Sequence, residues 1–158
     1  MWKKGLCLLT AVILLFSLAG CSDWVGGAVF MWLIATGDDR VSKEEILSFV
    51  RENEEALLEA VESGDYSDFE NRGFIQGIDE GGTAVDFYCG GVGIAPSSTY
   101  VGFFYTEEND PAAIWCAPGS ADMLTPSGNG LSWRETNGDN RYYTEHICGN
   151  FYYYESSY

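Results

Sequence analysis

The pattern of residues in this chain predicts an α+β domain, with one N-terminal amphipathic helix packed on an antiparallel meander of six or seven short strands. Two observations carry that prediction. Between residues 42 and 63 apolar side chains recur at the helical period behind a capping sequence. From residue 73 onward Gly, Asn and Pro punctuate short runs rich in Val, Ile, Phe, Tyr and Thr, the mark of strands joined by tight turns.

The chain opens with Lys3 and Lys4 ahead of an apolar run, 5–18, that is short for a membrane span and is closed by small residues. That order predicts a secretory signal over 1–20. Leu18-Ala19-Gly20-Cys21 resembles the lipobox of bacterial lipoproteins. The resemblance implies that the Cys21 thiol carries a diacylglycerol and becomes the new amino terminus on cleavage. Each buried methylene contributes roughly 0.8 kcal/mol, so two acyl chains anchor stably where one would not. A protein held on the extracytoplasmic face of the cell membrane follows from this; an uncleaved signal anchor with an ordinary Cys21 thiol is the alternative.

Residues 21–41 make a tether or a first strand. Their apolar run, 24–36, is again short for a span. It packs on the domain, or it lies in the headgroup region with Trp24 and Trp32 at the boundary. Gly37-Asp38-Asp39-Arg40 ends it, and residues 42–158 follow as a single domain.

Ser42 and Glu45 have capping-box spacing, and Val41 with Ile46 is placed as a hydrophobic staple. The stripe behind them, Ile46, Phe49, Val50, Leu57, Ala60 and Val61, predicts one helix over 43–63 that Gly64 stops. A further helical turn is expected at 66–71. Strands are expected at 74–78, 83–89, 99–106, 113–116, 131–135, 142–148 and 151–155, with a first hairpin turn at 79–82 and a wider bend at Gly90-Gly91-Val92-Gly93. If Gly149-Asn150 is a two-residue turn, Cys148 faces Phe151, Ile147 faces Tyr152, His146 faces Tyr153 and Glu145 faces Tyr154. Upstream, Glu135 is set opposite Arg141 and Trp133 opposite Tyr143. Aromatics on both faces of the last hairpin place it inside the sheet. In outline, a helix across a curved antiparallel sheet is similar to cystatin-like folds, a likeness of shape that carries no function.

Charge narrows the partners. The chain has a formal net charge of -16; loss of Lys3 and Lys4 with the signal takes the remainder to -18, six basic side chains against 24 acidic ones. Such a surface repels nucleic acid and anionic headgroups, so attachment to the membrane rests on the acyl chains of Cys21. Outside the cytoplasm Cys89, Cys116 and Cys148 form at most one internal disulfide, whose pairing the spacing leaves open.

No constellation supports a catalytic assignment. His146 and Cys148 lie about 7 Å apart along one strand, beyond hydrogen-bond reach. Cys89, Cys116, Cys148 and His146 include zinc-ligand types without the spacing of a knuckle. The acidic cluster Glu107-Glu108-Asn109-Asp110 lacks the alternation of a calcium loop, and the glycines at 90–93 precede a strand, not the helix N-terminus that attracts phosphate. No metal or cofactor is assigned. What remains is aromatic: ten Tyr, nine Phe and five Trp, of which Trp115, Trp133, Tyr143, Tyr152 and Tyr154 are the candidate contacts for a ligand. The same rings also suit a small sheet core.

Residues 138–158 and Ile114-Trp115-Cys116-Ala117-Pro118 resemble segments of small surface lipoproteins of Gram-positive anaerobes. The resemblance implies a surface protein and brings no catalytic residues. The expected function is therefore a non-enzymatic, lipid-anchored domain that binds an envelope protein or glycan. An envelope hydrolase and an accessory subunit of a membrane complex are the alternatives. Two facing carboxylates in a deep cleft would favour the hydrolase, and an exposed patch of Tyr and Trp would favour binding.

Overall fold

The computed structural model describes residues 41–70, 72–94 and 97–158. The expected signal at 1–20, Cys21, the apolar run 24–36 and its break at 37–40 lie outside the described residues.

The helical region begins at the expected cap. The Ser42 hydroxyl accepts from the Glu45 N–H at 3.3 Å, and the Glu45 carboxylate accepts from the Ser42 N–H at 2.9 Å. Two helices stand where one is expected, α1 at Lys43–Glu52 and α2 at Glu54–Ser63, well inside the chain and not at its N-terminus. Asn53 makes the break. Its side-chain amide donates to the Phe49 carbonyl at 2.8 Å, in competition with the helical ladder, and its backbone leaves the helical region at φ -119°, ψ 16°. Gly64, left-handed at φ 69°, closes α2 by donating to the Ala60 carbonyl at 2.9 Å. Beyond it the Tyr66 carbonyl accepts from Phe69 and Glu70, a single turn.

Seven strands follow: β1 Gly77–Gly81, β2 Ala84–Ile94, β3 Ser97–Thr106, β4 Thr125–Ser127, β5 Gly130–Arg134, β6 Arg141–Cys148 and β7 Phe151–Ser157. All neighbours are antiparallel, in the order β1-β2-β3-β7-β6-β5-β4. The class is thus α+β, but the sheet is not a simple meander. One three-stranded and one four-stranded meander join edge to edge through β3 and β7, which leaves β7 at the centre and the last hairpin inside the sheet. The connection at 107–124 carries the chain from β3 to the far edge.

Residues 113–116, expected to be a strand, lie in that connection as turns. Ile114 and Cys116 are drawn onto the sheet while Trp115 stays mostly exposed, so composition alone suggested a strand. β4 is an addition between the strands expected at 113–116 and 131–135. The first turn centres on Gly82, at φ 69°, and Thr83, because Gly81 already pairs with Ala84. The glycines at 90–93 belong to β2, where a bulge between Tyr88 and Gly90 replaces the expected bend.

Two registers differ from expectation by one residue. A bulge at Ile147 sets His146 opposite Tyr152, Glu145 opposite Tyr153 and Thr144 opposite Tyr154, while Cys148 keeps Phe151. Trp133 pairs with Tyr142 and Arg134 with Arg141, since the loop runs one residue longer than expected and closes through the Glu135 N–H on the Asn140 carbonyl at 3.0 Å. The slip exchanges the two faces of a strand.

Both faces are covered. On one, Ile46, Val50 and Leu57 of the helices pack on Phe87, Phe103, Ile147, Phe151 and Tyr153, with the rings of Phe87 and Phe103 stacked at 4.6 Å. On the other, Ile114 and Cys116 of the connecting segment cover Ala84, Phe104, Tyr142, Tyr152 and Tyr154. Full burial of each such ring contributes about 1.5–3 kcal/mol, so the segment is part of the fold.

Candidate functional site

The second face holds its cover with phenols. Tyr142 donates to the Pro111 carbonyl at 2.8 Å, Tyr152 to the Asn109 side-chain oxygen at 2.6 Å, and Tyr158 to the Cys116 carbonyl at 3.5 Å. A fourth phenol works differently. Tyr154 stands on β7 opposite Gly102 of β3, and its ring crosses that strand to donate to Asp86 Oδ1 on β2 at 3.0 Å. Only glycine allows the crossing: a Cβ at Gly102 would sit 2.8 Å from the Tyr154 ring and 2.5 Å from the Phe87 carbonyl oxygen.

Asp86 is 8% exposed and takes a second donor, the Trp115 indole N–H, on Oδ2 at 3.2 Å. Burial pushes its carboxyl up to about 6; the Trp115 and Tyr154 donors oppose the rise, and the Asp79 charge across the β1/β2 ladder adds to it. Trp115 itself is 63% exposed. Its ring stacks on Tyr158 at 6.3 Å and meets Tyr100 edge-on at 6.0 Å, and Tyr88 lies against Tyr100. Beside it opens a groove of about 360 Å³ lined by Asp79, Thr83, Asp86, Ala113, Ile114 and Trp115, together with the small residues at 81, 82 and 84.

The expected contacts divide. Trp115 lies on the groove. Tyr154 is fully buried beneath it, Tyr152 is buried under the cover, and Trp133 is half-buried on the same face. Tyr143 belongs to the helix face, where its hydroxyl donates to Glu145 Oε2 at 2.6 Å and accepts from Lys43 Nζ at 3.1 Å. Lys43 also pairs with Glu145 directly. Burial works to raise the Glu145 carboxyl, and the Lys43 ammonium and Tyr143 phenol overcome it and hold it below the usual range.

Cys89, Cys116 and Cys148 are free thiols. Cys89 packs among the helix-side residues and Cys116 on the opposite face, so the sheet lies between them. Burial pushes Cys116 up to about 12, and pushes Cys148, half-buried near Glu54, up to about 11. His146 is exposed and donates to the Gly149 carbonyl at 2.8 Å. Among the described residues no three His, Cys, Asp or Glu side chains are grouped to hold a metal ion, and no helix is long and apolar enough to cross a membrane.

No family model, curated protein or solved structure matches this chain. The site therefore rests on its own geometry. Asp86, Asp79, Tyr88, Tyr100 and Tyr158 are absent from the sequence-derived set. The available signal was an Asp in the middle of an otherwise apolar run, Ala84-Val85-Asp86-Phe87-Tyr88. A carboxylate there is either exposed or buried for a reason.

Proposed function

We propose that this chain is a lipid-anchored extracytoplasmic domain that binds an envelope partner, protein or glycan, at the groove beside Trp115. The placement rests on the lipobox-like Leu18-Ala19-Gly20-Cys21 and on acyl chains at Cys21 as the membrane contact. The observation that carries the binding role is a mostly exposed indole fixed at both ends, by its N–H on Asp86 and by its face on Tyr158. An immobile aromatic loses little freedom on binding, so more of its contact area becomes affinity. The cystatin-like outline contributes nothing to this reading.

Photo-crosslinking on intact cells, with a probe at Thr83, tests it. The partner is captured by the wild-type chain and lost with Trp115→Ala; equal capture by both rejects the groove. Labelled fatty acid incorporated by wild type and not by Cys21→Ala tests the anchor. A second reading, an envelope hydrolase, draws on Asp79 and Asp86 lining one groove with the latter's carboxyl raised toward neutrality. Turnover of isolated envelope glycan, abolished by Asp79→Asn and by Asp86→Asn, would establish it.

A further inference from the structure

Among the described residues Asp86 is a buried carboxylate without a cation. Its two hydrogen bonds come from the neutral Trp115 indole and Tyr154 phenol, and among the described residues no Lys or Arg lines the groove. The ionisable groups acting on it are Asp79 on β1, Tyr88 and Cys89 on β2, Tyr142 on β6, Tyr154 on β7 and Cys116 in the cover. Every one is an acid, so none offsets its charge. Buried charges are ordinarily paired, and the contrast with Glu145, which holds Lys43, is internal to this molecule.

Resting on the groove as the binding site, we infer that the group it recognises is the guanidinium of an arginine on a basic segment of a partner protein. Three properties of the groove suit that group. Asp79 and Asp86 supply two carboxylates from neighbouring strands, and carboxylate oxygens have acceptor positions beyond the two already used. The exposed Trp115 ring supplies a face on which a planar, weakly hydrated cation stacks. A volume of about 360 Å³ holds one long side chain, with Ala113 and Ile114 against its methylenes. A net charge of -16 draws a basic segment toward the surface before contact. A neutral sugar would find the same acceptors and leave the charge uncompensated.

The test uses the full chain in detergent micelles, with the Trp115 indole N–H resonance assigned through Trp115→Phe. The probes are N-acetyl-arginine methylamide, its citrulline analogue of the same shape without charge, and methyl glycosides. The arginine probe shifts the Trp115 resonance saturably and lowers the midpoint of the Asp86 carboxyl titration, while citrulline moves neither. Asp79→Asn weakens the arginine probe by about threefold, as expected for an exposed ion pair. Glu59→Gln, which removes the same charge from the exposed surface of α2, leaves binding unchanged.

Equal binding of citrulline, or equal weakening by Glu59→Gln, overturns the inference. A glycoside that shifts Trp115 where arginine does not also overturns it and leaves the groove standing as a binding site. Silence from every probe, together with crosslinking that ignores Trp115→Ala, removes both.

Discussion

Replacing Asp86 with Asn is expected to stabilise the protein at neutral pH. In the unfolded chain this carboxyl titrates near 3.8, and in the fold burial raises it to about 6. A shift of about two units corresponds to roughly 3 kcal/mol, at 1.36 kcal/mol per unit. Because the folded value is the higher one, protonation favours the fold. Stability rises as pH falls through 6, and the gain is complete below the unfolded value; at pH 7.5 the ionised carboxylate withholds that amount. Asn removes the charge and keeps one acceptor for Trp115 or Tyr154, while the other donor loses its partner at about 1 kcal/mol. The net expectation is a gain of about 2 kcal/mol at pH 7.5 that disappears by pH 4. Urea denaturation of wild type and variant at the two pH values measures it, and the titration of carboxylates that do not act on Asp86 cancels in the difference. A variant less stable than wild type at pH 7.5, or a difference independent of pH, would refute the reasoning. If the gain is found, Asp86 is held against stability, as expected of a group retained for binding.

Gly102→Ala is expected to cost at least about 3 kcal/mol in the same assay, since its Cβ meets the Phe87 carbonyl oxygen at 2.5 Å and pushes Tyr154 off Asp86. Lys43→Met leaves Glu145 buried with only Tyr143 and should cost about 2 kcal/mol at pH 7. Because the Glu145 carboxyl is depressed in the fold, that stability is present above its ordinary 4.5 and lost as pH falls through the folded value, so the difference between Lys43→Met and wild type should shrink as denaturation is repeated at progressively lower pH. Ser42→Ala removes the helix cap and should lower stability by about 1 kcal/mol. Thiol titration of the native protein should show slow reaction at half-buried Cys148 and none at Cys89 or Cys116, with all three reacting after denaturation. Only one of the three reacting then would mean a disulfide.

The parts of the fold that were legible are those decided by neighbours in sequence. Ser42 and Glu45 are three residues apart, and the cap they make depends on little else. Gly64 is needed wherever a helix must end in the left-handed region. The break at Asn53 follows from a side chain that competes with its own backbone, a local effect hidden by the continuous stripe from Val50 to Leu57. Registers failed for a different reason. A turn at Gly149-Asn150 fixes the first pair, but the bulge falls at Ile147, a side chain buried in the helix-side core, and no turn announces it. The union of β3 with β7 spans the connecting segment and leaves no local trace. Of the site, Trp115 was legible only as one of five candidate aromatics and on an expected strand; its place in the connection that covers the sheet was not. Asp86 was not, because its partners arrive from β7 and from the cover, and only the fold brings them together.

The cover at 107–124 is fastened in part by hydroxyls that reach main-chain carbonyls, at Pro111 and Cys116. Such fastenings are indifferent to what the fastened residues carry. Substitutions at positions such as Ala113 or Pro118 therefore leave the anchoring contacts intact, and recognition is open to revision by editing this one segment while the sheet beneath goes on folding as before.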